Sequence, residues 1–431
     1  MPAINTEAIR AAVTTALVEA RQGARTNGAE IDSGTEHSIA LDVIRTWFET
    51  EATRRLLSGV DPIDEHTEAR LTKDVVKQVL GMGGLQDLLD DPEVTDIHVP
   101  GCRPTWVRLR SGERRMVAPV VASDSELVDL IRSTSSRLGG GERRFDSASV
   151  ECNLQLEDGS RLFAVMGVST RPSVIVRKHQ FELSDLSELS GRGLCSVEVA
   201  DFLRQSVVAR RNIIVAGGTG AGKTTLLRAL LNCVGPDERI VTIEDAYELG
   251  IDRFSHLHPD HDALQTRAAN QEGLGEITLA DLTRMALRMD PDRVVVGEVR
   301  GAEAFPMLLA MSQGNDGSMC TLHADSSRSA FAKLAAYVTM AGHGLPVGVV
   351  NSLIAQAVHL VVHVSRHEGR RMITSIREVV DADGERIVSN EIFSSNDGEA
   401  ARPMFPMSDA LSGRLAAHSS RSLVSSNGVR T

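Results

Sequence analysis

Residues 212–230 read NIIVAGGTGAGKTTLLRAL: an apolar run, four glycines interleaved with Thr219 and Ala221, one lysine followed by two threonines, then a leucine-rich stretch. Gly217, four residues of any kind, Gly222, Lys223 and Thr224 fit the pattern of a phosphate-binding loop. The chemistry follows from the residue types. Glycine permits backbone angles closed to other residues, so the N–H groups of Gly217, Gly218, Thr219, Gly220, Ala221 and Gly222 can converge on one anion. A helix beginning near Lys223 aims its positive end, with Thr224 and Thr225 in its first turn, at the same point. Lys223 brings a point charge to the β- and γ-phosphates, and the Thr224 hydroxyl can ligate Mg²⁺. ATP with Mg²⁺ is the ligand this loop predicts.

Three further stretches offer groups that could act on such a phosphate. RVVVGEV (293–299) is a buried strand pattern with Gly297–Glu298 near its end, and a carboxylate at the carboxyl end of a parallel strand faces the ligand crevice. Glu298 could orient or deprotonate water. A P-loop enzyme usually places Asp where Gly297 stands, so a second acid must help. RIVTIEDAYEL (239–249) supplies Glu244 and Asp245, and two acids beside a triphosphate require a cation between them, which makes Mg²⁺ part of the reading. GNDGSMCTLHADS (314–326) ends a fourth apolar run in His323, which could sense the γ-phosphate. Taken singly each has a bland alternative: a solvated Glu298, a turn cap at Asp245, a structural His323. Either Glu298 or Glu244 can reach the crevice as the water-positioning acid.

The elements that must hold these groups are legible as a change of period. Apolar residues at helical spacing (Leu41, Ile44, Trp47, Phe48) make residues 1–75 a helical N-terminal extension, with the polar stretch 21–38 as a flexible link. Residues 76–185 show short alternating strands, TDIHV, TWVRL and SVIVRK, a hairpin over 153–168 with Asp158–Gly159 at its tip, and one helix through Leu127–Leu138. They form a small α+β domain. A linker over 180–195 leads to 186–393, where Val/Ile runs at 212–216, 239–243 and 293–297 alternate with helices at 223–233 and 278–289. That is the pattern of an α/β domain with a parallel sheet covered on both faces. MITSIREVVDADGERIV (372–388) predicts a terminal hairpin, and the serine-rich 394–431 predicts a disordered tail.

Bulk properties narrow the function classes. The formal charge is −12 and aromatics are 3% of 431 residues, which argues against a broad nucleic-acid surface with stacking platforms. No pair of the five cysteines has metal or redox spacing, so they read as reduced thiols of a cytoplasmic protein. No basic-then-apolar leader opens the sequence, and the most apolar long stretch (349–364) is interrupted by Asn351, Gln356, His359 and His363. Any membrane role is therefore expected to run through partners.

GGTGAGKTT, TIEDAYEL, DPDRVVVGEVRGAEA and CTLHADS follow one another in the order of the Walker A, Asp, Walker B and His boxes of the secretion traffic ATPases. Together with DPEVTDIHVPG and the stretch 264–293, the chain resembles the CpaF branch, which serves Tad/Flp pili and lies close to the type IV secretion ATPases. The resemblance covers roughly residues 80–392. It implies a RecA-like P-loop NTPase domain, ATP lying between it and the preceding domain, and a homohexameric motor that powers pilus assembly or type II/IV secretion. Such a motor works at the cytoplasmic face of the inner membrane with platform or channel proteins, without direct nucleic-acid contact. By motif position Arg161 (DGSRLFA) and Arg177 (VIVRK) are the arginines that reach the phosphates, and Arg300 matches the arginine after the Walker B acid; Arg267 and Arg288 are further candidates. Phe163 stands where the family often has Asn, and GNDG and TRAAN where GHDG and TRPPN are common. A DNA-transfer or other nucleic-acid motor is the alternative; a small-molecule kinase lacks a second acceptor site, and a silent nucleotide switch has no use for Glu298, Glu244 and His323 together.

Overall fold

In the computed structural model the residues described are 6–26, 31–138, 145–156, 158–178, 185–267, 269, 273–395 and 398–425. The chain divides into two compact units, Met1–His179 and Gln180–Thr431.

The first unit opens with α1 (Thr6–Thr26), α2 (Ser33–Leu57) and α3 (Glu65–Val79), which share a core of Ile9, Val13, Ile44, Phe48, Leu71 and Val75. Asp32 and Asp64 accept from the backbone N–H groups of Thr35 and Thr67, capping α2 and α3 in the way short acidic side chains cap helices. The polar stretch 21–38 is thus helical at both ends rather than a link throughout; its residues 27–30 lie outside those described. After the glycines at 81–84 comes α4 (Gln86–Asp90), then β1 (Val94–Pro100), β2 (Thr105–Leu109), β3 (Arg114–Val117), α5 (Asp124–Leu138), β4 (Glu151–Gln155), β5 (Arg161–Val165) and β6 (Ser173–Arg177). The six strands pair antiparallel in the order β3-β2-β1-β6-β5-β4. Alternate residues such as Ile97, Leu162 and Val176 are buried with Leu127 and Ile131 of α5, which is why the sequence alternates there.

The second unit begins with α6 (Leu186–Gly191), inside the stretch expected to be a linker, and α7 (Val197–Val208). It continues through β7 (Ile213–Gly217), α8 (Lys223–Leu231), β8 (Ile240–Glu244), β9 (His261–Gln265), α9 (Leu279–Ala286), β10 (Arg293–Val299), α10 (Ala304–Ser312) and β11 (Met319–His323). Next come α11 (Ser329–Met340), α12 (Val347–Ala357), β12 (Leu360–His367), β13 (Arg370–Asp383), β14 (Arg386–Ser394), β15 (Arg402–Pro403) and α13 (Asp409–Ser425). The nine-stranded sheet runs β15-β14-β13-β12-β7-β11-β10-β8-β9. β12 through β9 in that order are parallel; β13 to β15 add antiparallel strands at one edge. Ile213 and Val215 face one core with α7 and α8, Ile214 and Ala216 the other with α10, α11 and α12, so the central strand is buried on both sides and reads as a continuous apolar run.

The expected disordered tail is corrected. α13 follows β15, and Leu411 and Leu415, four residues apart on one face, are buried in the α7 side of the core. Ser408 donates its N–H to the buried Glu378 at 3.0 Å and accepts from Leu411 N, so the helix start is tied to β13. Few apolar residues suffice because these two fall at helical spacing. Residues 426–431 lie outside those described.

Candidate nucleotide-binding site

Five buried residues of β7 deliver the chain to the phosphate loop between β12 and β11. A Cβ on Gly217 would lie 2.2 Å from the Val364 carbonyl oxygen of β12, so only glycine lets the two strands approach. Gly220 and Gly222 have φ of +71° and +101°, left-handed angles that cost a side-chain-bearing residue on the order of 1–2 kcal/mol. Gly222 is the N-cap of α8 and has no side chain to occupy the first N–H groups of the helix, which therefore face the loop as anion donors.

Lys223 is mostly buried, and its Nζ donates to the carbonyl oxygens of Gly217 (3.1 Å) and Gly218 (3.0 Å). Burial holds the ammonium below its ordinary pKa, partly offset by Glu298, whose Oε1 is 3.7 Å away. Glu298 leaves β10 where the pairing with β11 slips between Val296 and Val299, a bulge that re-aims a side chain at the strand end. Its Oε2 accepts from Arg300 Nε at 2.6 Å, and Arg300 Nη1 stands 2.8 Å from Asp245 Oδ2. Lys223, Glu298, Arg300 and Asp245 thus form one alternating chain of charges beside the loop. On the neighbouring strand, His323 Nε2 is 3.0 Å from Thr219 Oγ1; β11 pairs with β7 in the register His323↔Gly217, which brings the imidazole to the loop.

Glu244 behaves differently from Asp245 next to it. Its Oε1 accepts from the N–H groups of Glu248 (2.9 Å) and Leu249 (2.8 Å), and burial pushes its carboxyl up to about 7 against the pull of those two bonds. A Cβ on Gly297 would lie 3.0 Å from Glu244 Cγ. The space that an Asp side chain takes in other P-loop strands is filled here from the adjacent strand β8.

Among the described residues no three His, Cys, Asp or Glu side chains gather as a ready metal site. The donors at hand are the Thr224 hydroxyl with Glu244 and Asp245, a sparse oxygen set. It suits a hard cation that brings most of its ligands as water and phosphate oxygens.

In the first unit, Arg161 and Arg177 are register partners on β5 and β6, on the exposed face; Asp96 of β1 lies opposite Arg177, with Oδ1 3.3 Å from its Nε. Phe163 shares that face, 38% exposed, in a row with Ile175, His98 and Trp106. Arg267 donates its Nε to Gly275 O at 2.8 Å within its own loop, and among the described residues Arg288 makes no ion pair with the charge chain around Lys223.

Sequence reasoning missed two positioning residues. Asn212, fully buried, accepts from the N–H groups of Gly317 and Ser318 and donates to the carbonyls of Met311 and Ala357, fixing the starts of β7 and β11 together. Arg293 is fully buried, pairs bidentately with Glu238 and donates to Gly317 O at 3.3 Å. The signal was present in the polar residues that open the apolar runs at 212 and 293, though nothing in the sequence names their partners.

A loop of this geometry at the carboxyl edge of a parallel sheet, with acids at the ends of β10 and β8, defines a RecA-like P-loop ATPase. The family described as Type II/IV secretion system protein matches residues 85–396, and the chain belongs to that family as one of its traffic ATPases. A Mycobacterium tuberculosis protein, whose name assigns it provisionally to conjugal transfer, is 37% identical over 316 residues, covering 71% of this chain and 87% of its own. The type IV secretion system protein VirB11 of Brucella suis is 39% identical over 173 residues, 39% of this chain and 47% of its own. Among solved structures, the VirB11 ATPase of the Brucella suis type IV secretion system in complex with sulphate is 29% identical, covers 68% of this chain and 91% of that chain, and gives a TM-score of 0.37. The pilus retraction motor PilT with bound ADP is 17% identical with a TM-score of 0.49.

Proposed function

We propose that this traffic ATPase couples Mg²⁺-ATP hydrolysis to the assembly of a Tad/Flp-type pilus, as a member of the CpaF branch. It works as a ring of six copies at the cytoplasmic face of the inner membrane with platform proteins as partners. The observation that carries the catalytic half is the alternating chain Lys223–Glu298–Arg300–Asp245 beside the glycine loop. Lys223 and the loop amides bind the phosphates. Glu298, 3.7 Å from Lys223 and held by Arg300, positions the attacking water. Thr224 and Asp245 would hold Mg²⁺, which would supply charge neutralisation on the phosphate oxygens. Glu244, committed to two backbone amides, shapes the crevice behind Gly297 and is the reserve for the water-positioning role. His323 reports the γ-phosphate through Thr219.

Among the described residues no helix is long and apolar enough to cross a membrane. Phosphate released from ATP without any added acceptor tests this reading against a kinase. The second reading, a conjugation-type DNA-transfer motor, is favoured by one observation: the name of the mycobacterial relative, matched over 71% of this chain. Stimulation of the ATPase by DNA at low salt would select it; stimulation by membrane-platform protein and none by DNA would select the pilus reading.

A further inference from the structure

The phosphate loop has a second cation against it, on the side away from Glu298. A Cβ on Gly222 would lie 3.1 Å from Cδ of Arg371 and 3.8 Å from its Nε. Arg371 comes from β13. β12 runs parallel beside β7, with Val364 opposite Gly217, turns through Glu368 and Gly369 (φ of +47° and +85°), and returns with Arg371 opposite Arg366.

The Arg371 guanidinium makes no ion pair or hydrogen bond among the described residues, and Arg366, Arg370 and Arg371 are all exposed at this hairpin tip. Arg371 thus stands beside Gly222, the N-cap of α8, with Lys223 in the first turn, so two cations flank the positive end of one helix, an arrangement that a bound anion stabilises. We propose that Arg371 is a nucleotide-binding residue, contacting the α- and β-phosphates of the bound nucleoside di- or triphosphate. The sheet order assigns it to that part. β11 and β10, which carry His323 and Glu298, lie on one side of β7, whereas β12 and β13 lie on the other. Contacts from the two sides therefore fall on different ends of the polyphosphate, and Arg371 holds the end that remains after the γ-phosphate leaves. Arginine suits this task because its planar fork can donate two bonds to one phosphate.

The inference rests on nucleotide binding at this loop, and the test separates the two. ADP and ATP are titrated with Mg²⁺ into the full chain as wild type, Arg371→Ala, Arg371→Lys and, as a control, Arg402→Ala, whose exposed arginine pairs with Glu399. Thermal melts confirm equal folding. The expected result is that Arg371→Ala weakens ADP and ATP alike by roughly tenfold or more, the scale of a lost charge-assisted contact, that Arg371→Lys recovers part of it, and that Arg402→Ala matches wild type. ADP affinity of Arg371→Ala within twofold of wild type overturns the inference, as does a loss confined to ATP. If wild type itself retains neither nucleotide, the reading of the loop falls first and the inference with it.

Discussion

Glu244 occupies the room that a side chain on Gly297 would need: Cγ of the buried acid on β8 lies 3.0 Å from where that Cβ would be placed on β10. The place where P-loop enzymes usually carry Asp is therefore filled space. An acid from the next strand fills the same volume, anchored by the N–H groups of Glu248 and Leu249. Gly297→Ala is expected to destabilise the second unit by about 1–3 kcal/mol, the cost of overpacking, and to lower its melting temperature. An unchanged melting temperature would show that Glu244 is free to step aside.

The contact between His323 and Thr219 joins two exposed side chains, so breaking it should leave the fold intact. His323→Ala is expected to lower turnover by roughly ten- to a hundredfold, in the range of a group acting in the transition state, while ADP affinity changes by no more than about threefold. Steady-state phosphate release and ADP titration check both numbers. A parallel loss of ADP affinity would mean that the imidazole shapes the loop rather than reporting on the γ-phosphate.

His359 gives the second unit an acid limit. Its Nδ1 accepts from Asn212 N at 2.8 Å, so the bonded ring is neutral, and burial pulls its pKa down to about 4 from the ordinary 6.5. Between those values the unfolded chain binds a proton that the folded chain refuses. The stability contributed is full above pH 6.5 and lost as the pH falls towards 4, by about 3 kcal/mol at most. Urea unfolding at pH 7.5 and 5.0 should show wild type losing more stability than His359→Gln; equal losses would remove this residue from the account.

The helix α13 should matter to stability although the sequence hides it. Ending the chain after Pro406 exposes the sites of Leu411 and Leu415 and strips the buried Glu378 of its two donors from Ser408. A melting temperature lower by several degrees is expected from two buried leucines at about 1.5–3 kcal/mol each. No change would restore the picture of a dispensable tail.

How much of this was legible depended on whether a feature is local. The glycine loop, the strand–loop–helix around Lys223 and the acids at strand ends were readable because spacing and residue type alone impose them. The pairing of Arg161 with Arg177 was not, since it is a register between strands, nor was Glu244 behind Gly297, since two strands brought together by the sheet order create that contact. β9 escaped because HDALQ, at the sheet's edge and only half-buried, lacks the apolar run that marked its neighbours. α13 escaped because serine-rich composition outweighed two leucines at the right spacing.

The most direct test of the central claim pairs ATP retention with phosphate release for wild type, Lys223→Ala and Glu298→Gln in the presence of Mg²⁺. Wild type is expected to bind and split ATP, Lys223→Ala to lose binding, and Glu298→Gln to retain ATP while turnover falls by roughly a hundredfold or more. Near-normal turnover in Glu298→Gln, or a wild type that holds ATP and never releases phosphate, would contradict it.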